Sequence, residues 1–198
     1  MIMNEIKIID ATADDAEMIA YAIMEAVGDE IVNEMAGNNT RQMVREVFTR
    51  LARRDDSQYS YRNSRVAVMP GGIKAGVCIS YDGARLKPLR RAFFEEANRV
   101  LGWNMTADEI EALPGETCGE EFYLDTIATL PQYRKQGVAT ALIADARKKA
   151  EAAGLPLGLL VADDNPQARE LYESIGFSPT GRRPFAGTMM TNLRIATK

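Results

Sequence analysis

At 198 residues, with 46% apolar and 26% charged side chains, the chain is long enough to bury one hydrophobic core and has an ordinary water-soluble make-up, so a single domain over residues 1–198 is expected. A net charge of −4 and a pI near 5.1 argue against nucleic acid or a membrane surface as a general partner. Histidine is absent and cysteine occurs only as Cys78 and Cys118. That excludes Cys/His zinc sites, Ser-His-Asp triads and Cys-His pairs; no metal is expected, and acid–base chemistry falls to carboxylates, tyrosine, lysine, backbone or water.

The opening MIMNEIKIID sets Asn4 and Glu5 among apolar residues without a basic segment and does not read as a signal peptide. With no apolar run near the about 20 residues of a membrane helix, the expected location is cytoplasmic. Asn4 to Ile9 alternates as a first strand, and Asp10-Ala11-Thr12 turns the chain. From Ala13 to Val27 apolar residues recur at helical spacing, with Thr12 as cap and Gly28 as stop. A second amphipathic helix covers Thr40 to Arg53. Arg65–Met69 and Ile73–Tyr81 alternate around Pro70-Gly71-Gly72 as a hairpin, in which Gly76 allows a bulge or a close backbone approach. The stretch at about 82–120 reads as an insertion of two helices, Lys87 to Leu101 and Met105 to Leu113, the latter opened by Thr106 and Glu109 at capping-box spacing. Whether it covers a ligand or only core is not set by spacing.

A strand over Phe122–Leu130 follows, broken at Pro131, and a helix over Gly137–Ala153 stopped by Gly154. A strand at Leu157–Val161 leads to a helix over Asn165–Ile175 stopped by Gly176. Strands at Phe177–Gly181 and Met189–Ile195 flank a loop at Arg182-Arg183-Pro184. The order is βααββ, insertion, βαβαββ.

Two stretches carry chemistry. Arg134-Lys135-Gln136-Gly137-Val138-Ala139 opens a helix with a glycine-bearing turn, which gathers unpaired N–H groups and the positive helix end at one point, as a phosphate requires. Taken alone, a glycine before a helix is more often only a turn. Asn165 precedes Pro166 as a natural N-cap, and Asn165, Ala168 and Tyr172 fall at i, i+3 and i+7 on one helix face.

Together these residues resemble the GCN5-related N-acetyltransferases, the GNAT superfamily. The resemblance rests on Ile127-Ala128-Thr129, the run from Pro131 to Ala139, and Asn165, Ala168, Leu171, Tyr172 and Gly176-Phe177. It is specific over about 121–177, while elsewhere only the element order matches. It implies an α+β fold, an α/β three-layer arrangement with a mixed, mostly antiparallel central sheet flanked by helices and a helical insertion between strands 3 and 4.

The resemblance also implies acetyl-CoA as co-substrate, without a metal. Ile127, Ala128 and Thr129 would pair with the pantetheine arm, and Arg134, Lys135, Gln136, Gly137, Val138, Ala139 and Thr140 would wrap the pyrophosphate, with Asn165 and Tyr172 beside them. The backbone N–H of Ile127 corresponds to the thioester carbonyl position. Tyr172 corresponds to the general acid for the sulfur, its alternative being an amphipathic core residue. For the base, Asp125 and Glu121 are both candidates, since Glu121, Tyr123 and Asp125 share parity with Ile127 unless a bulge breaks the alternation; otherwise both are structural.

The expected reaction is direct attack of an amine on acetyl-CoA in a ternary complex, the acceptor being a small molecule, peptide or protein. A non-catalytic acyl-CoA-binding or sensing module is the alternative. In the family the acceptor site is shaped by regions matching Ala26 to Thr40 and Arg182 to Thr188; the insertion, with Phe93, Phe94 and Trp103, is a further candidate here. Arg182 and Arg183 hint at an acidic acceptor group, or form only a polar turn. Such proteins commonly pair through their C-terminal strands, which makes a homodimer an open expectation.

Overall fold

The computed structural model describes residues 6–117, 119–185 and 187–196; the expected strand start at Asn4 and Glu5, and Cys118, lie outside them. Among the described residues, seven strands form one sheet: β1 (Lys7–Asp10), β2 (Ser64–Met69), β3 (Ile73–Asp82), β4 (Phe122–Thr129), β5 (Leu157–Ala162), β6 (Ser178–Phe185) and β7 (Thr188–Ile195). Their order is β1-β2-β3-β4-β5-β7-β6. Every pairing is antiparallel except β4 with β5, which gives the mixed, mostly antiparallel sheet expected.

Helices cover both faces. On one lie α1 (Ala16–Ala36) and α2 (Arg41–Arg53), joined by α3 (Leu86–Leu101); their core holds Ile19, Ile23, Phe48, Leu51, Val77 and Ile79. On the other, α5 (Val138–Ala153) buries Val138, Leu142 and Ala146 against Cys78, Leu124 and Leu159. The shorter α4 (Ala107–Ala112) and α6 (Pro166–Ser174) complete the set. Gly76 makes α5 packing feasible: a Cβ there would sit 2.8 Å from both the Ala128 carbonyl oxygen and Val138 Cγ1. Next to it the β2–β3 register slips, so both consequences expected of this glycine occur.

Three boundaries differ from the sequence reading. Gly28 does break helical geometry (φ 82°, ψ 164°), but the helix resumes beyond it to Ala36, where Gly37 ends it. Its residues 25–31 consequently bend around the cavity described below. Thr12 and Asp15 form the cap expected before this helix, Asp15 Oδ2 accepting from Thr12 N–H at 2.9 Å and Thr12 Oγ1 at 3.1 Å. Arg182-Arg183-Pro184 is strand, not loop, because β6 runs on to Phe185. As the sheet's edge strand, β6 tolerates Pro179 and Pro184, whose missing N–H groups cost least there. The helix over Met105 to Leu113 shortens to α4, with the Thr106–Glu109 capping box in place.

The insertion serves core and cavity in separate parts. Phe93 of α3 stacks on Phe48 at 6.1 Å and meets Trp103 edge-on at 5.6 Å. This aromatic cluster is packing, and none of Phe93, Phe94 and Trp103 lines the cavity. The connection after α4 reaches the cavity instead.

Candidate active site

The site arises where two neighbouring strands part. β4 and β5 pair only at Phe122–Leu157 and Tyr123–Gly158. Beyond these residues, β4 keeps its bonds to β3 and β5 keeps its bonds to β7, leaving backbone N–H and C=O groups on both facing edges without a strand partner. Between them opens a cavity of about 340 Å³, lined by β4 from Tyr123 to Ile127, β5 from Leu159 to Ala162, and the Asn165, Ala168 and Tyr172 face of α6. Glu25, Ala26, Val27 and Ile31 of α1 and Phe185, Thr188 and Met190 of the last hairpin close it. Both regions expected to shape an acceptor site thus contribute.

A bulge decides which side chains reach this space. Against β3, Ile79 stands opposite Thr126 and Ser80 opposite Leu124, so Asp125 is the extra residue on β4. Alternation fails there: Tyr123 joins the core under α1 and α2, whereas Ile127 joins the core under α5. Asp125 and Ile127 therefore do not share a face. The Asp125 carboxylate accepts from Tyr81 Oη at 2.5 Å, Gln58 Nε2 at 3.3 Å and Thr126 Oγ1 at 2.8 Å. Burial nevertheless pushes its carboxyl above the ordinary value.

Glu121 lies elsewhere. Buried to 1% exposure, its carboxylate accepts from Arg194 Nε at 2.7 Å and Thr117 Oγ1 at 2.7 Å and occupies the space above Gly158, where a Cβ would overlap it. It ties β4 to β5 and β7 just before the strands part, and it is not a lining residue.

Tyr172, 9% exposed, stands edge-on to Phe177 at 5.8 Å, and burial pushes its phenol well above the ordinary value. Asn165 caps α6, its Oδ1 accepting from Ala168 N–H at 3.1 Å. Tyr172 and Asn165 line the cavity together with Asp125 and Ile127.

The phosphate-type turn follows β4 directly. Lys135 (φ 60°) and Gly137 (φ 84°) are both left-handed, and Gly137 opens α5 without a side-chain cap. Such alternating backbone conformations ahead of a helix N-terminus form an anion-binding nest. A Cβ on Gly137 would find only Ile6 Cδ1, at 3.9 Å, so conformation rather than crowding demands glycine. Arg134 donates to the Thr129 carbonyl at 3.3 Å and to Glu25 at 3.1 Å, joining the turn to the cavity mouth.

Arg182 and Arg183, hinted as readers of an acidic acceptor, are turned to internal partners: Arg182 to Asp163, and Arg183 to the carbonyl oxygens of Gly115 and Glu116. Sequence reading missed Tyr59 and Glu116, both lining residues. Neither sits in a periodic element, and Glu116 is one of several acids in GETCGEE, so no spacing could single it out.

The family model for the acetyltransferase (GNAT) family matches residues 78–177. Among solved structures, a protein described as an acetyltransferase superposes with TM-score 0.75 at 24% identity, covering 97% of this chain and 100% of its own. An N-acetyltransferase from Staphylococcus aureus gives 0.74 at 23% identity, with 96% and 100% covered. No curated protein sequence matches significantly. With half its length matched by the family model, the chain belongs to the GNAT acetyltransferase family.

Proposed function

We propose that the protein transfers the acetyl group of acetyl-CoA to an amine by direct attack in a ternary complex. The observation that carries this reading is the cavity at the parted strands, in which open β4 backbone, Tyr172 and a carboxyl group line one space. The chain's groups fit the co-substrate: the α5 nest at Arg134–Thr140 suits a pyrophosphate, the free edge at Ile127, Ala128 and Thr129 suits the amides of a pantetheine arm, and Asn165 and Tyr172 face the same space. Acetyl-CoA supplies an acetyl group already activated as a thioester.

Around that group each residue has a task. The Ile127 N–H stabilises negative charge gathering on the carbonyl oxygen. Tyr172 stabilises the departing sulfur, the proton that the amine must shed passes to the carboxyl groups lining the cavity, Asp125 among them, and Glu121 fixes the strands at the base of the split. Calorimetric titration with coenzyme A and a thiol-release assay over a panel of primary amines test the reading. Thiol release with an amine supports it; coenzyme A binding without transfer to any amine would mark an acyl-CoA sensor, and no binding would sink it.

A further inference from the structure

The connection from α4 to β4 is held unusually firmly for an irregular segment. Arg90 of α3, itself 5% exposed, donates Nη1 to the Pro114 carbonyl at 2.9 Å and Nη2 to the Leu113 and Ile110 carbonyls at 2.8 and 3.1 Å. Arg183 of β6 donates Nη1 to the Gly115 carbonyl at 3.0 Å and Nη2 to that of Glu116. Two guanidiniums thus grip the peptide oxygens of Leu113, Pro114, Gly115 and Glu116 in succession. Their rigid fork of donors holds backbone in one place. What the gripped segment presents to the cavity is the Glu116 side chain.

The Glu116 carboxyl shares the cavity lining with Asp125 and Tyr123 of β4 and with Tyr59 from the segment before β2, and it lies within electrostatic reach of these and of Tyr81 on β3. Behind it stand Arg90 and Arg183. The described cavity lining holds three carboxyl groups, Glu25, Glu116 and Asp125, and no lysine or arginine. Burial, then the nearby Asp125 carboxylate, raises the Glu116 carboxyl to about 8. Two acids sharing one space cannot both ionise freely, so ionising one holds the other protonated to higher pH.

We infer that Glu116, presented opposite Asp125 by the arginine-gripped segment, is the acid–base residue that takes the proton from the acceptor ammonium, with Arg183 as its positioning residue. This rests on the acetyl-transfer reading above. One N–H proton passes from the ammonium to Glu116 and on to water, the freed lone pair bonds to the thioester carbonyl carbon, and as the C–S bond breaks with its electrons on sulfur the nitrogen sheds its second proton, through water, to the departing thiolate, giving the amide and free coenzyme A.

The test uses the full chain with Glu116→Gln, Glu116→Asp and Arg183→Met, assayed with the amine turned over fastest in the panel. Glu116→Gln should lose about 10²–10⁴-fold in kcat with coenzyme A affinity within twofold, and Glu116→Asp should recover part of the loss. Because the Arg183 charge pulls the Glu116 carboxyl down, Arg183→Met should move the acidic limb of the pH–rate profile to higher pH, which lost packing alone would not do. A kcat for Glu116→Gln within threefold, or an unmoved limb in Arg183→Met, overturns the inference. If the unaltered chain acetylates no amine, the parent reading fails, and thermal melting still decides the state of Glu116. A carboxyl raised on folding contributes stability that is full below its unfolded value near 4.5 and is lost as pH rises towards 8. Glu116→Gln should then melt above the unaltered chain at pH 9 and with it at pH 4; coincident melting at both would overturn the placement of Glu116.

Discussion

Replacing Tyr172 by Phe removes one hydroxyl and leaves the ring. The ring is buried at 9% exposure and packed edge-on against Phe177, so the fold should survive with a melting shift of at most about 4 °C. The effect on rate follows from acidity. A free phenol titrates about 1.5 units above a thiol, which makes full proton transfer to a thiolate uphill by about 2 kcal/mol, at 1.36 kcal/mol per unit. Burial raises the Tyr172 phenol further, so the step becomes more uphill still. In the proposed reaction Tyr172 would therefore act as a hydrogen-bond donor to the sulfur as charge develops there, rather than as a complete proton donor. A hydrogen bond to a charged group contributes about 1.5–3 kcal/mol, so Tyr172→Phe should lower kcat by about 10–150-fold. The coenzyme A dissociation constant should stay within threefold, and no limb of the pH–rate profile below pH 10 should disappear. Thiol release under saturating acetyl-CoA measures the first, calorimetry the second. A kcat within twofold of the unaltered chain would make Tyr172 a core residue only, and a limb lost between pH 7 and 9 would refute the hydrogen-bond argument in favour of full proton transfer.

Three further outcomes can be checked on the same protein. Gly137→Ala meets open space but a left-handed φ of 84°, which costs a non-glycine residue about 1–2 kcal/mol; coenzyme A should bind about 5–30-fold more weakly while pantetheine, lacking the pyrophosphate, is unaffected, and equal losses for both would disprove a phosphate role for the turn. Gly158→Ala drives a methyl into the Glu121 carboxylate and parts its ion pair with Arg194, whose Glu121 side chain is only 2% exposed; breaking a buried pair costs about 3–5 kcal/mol, so melting should fall by about 6–20 °C, and a fall under 2 °C would show the pair to be dispensable. Because the described lining carries three carboxyl groups and no lysine or arginine, an amine should be acetylated at least tenfold more efficiently (kcat/KM) than the α-amino acid that differs from it only by a carboxylate beside the nitrogen; equal efficiencies would place the acceptor elsewhere.

Much of the fold was legible because it is written in period and punctuation. The alternation of β2 and β3 around Pro70-Gly71-Gly72, the apolar face of α2 and the Thr106–Glu109 box all fall where spacing puts them. Boundaries failed where a residue's local preference met a stronger tertiary demand. Gly28 is a plausible stop, yet the apolar residues after it, Val32 and Ala36, have core to bury, and Val32 is fully buried, so the helix resumes past the kink. Arg182-Arg183-Pro184 has loop composition, yet β7 offers it a full register and the sheet edge accepts its proline.

The candidate site was legible where it depends on backbone and obscure where it depends on how distant segments meet. A left-handed turn at a helix start needs glycine at one position and nothing far away, so the conformation at Gly137 could be read from the turn itself. The carboxyl groups obey no such rule. Parity along β4 would carry Asp125 and Ile127 to one face, and a single extra residue at Asp125 reverses that; the bulge is set by pairing with β3, at a sequence distance of more than forty residues. Glu121, two turns of the same alternation earlier, is drawn instead to Arg194 across the sheet. Glu116 reaches the cavity on a segment that Arg90 and Arg183, from two elements that flank it in sequence by 26 and 67 residues, hold at its wall. The left-handed turn at Gly137 is therefore local, whereas the cavity wall that carries Glu116 is assembled at long range, so short windows of sequence reveal the first and not the second.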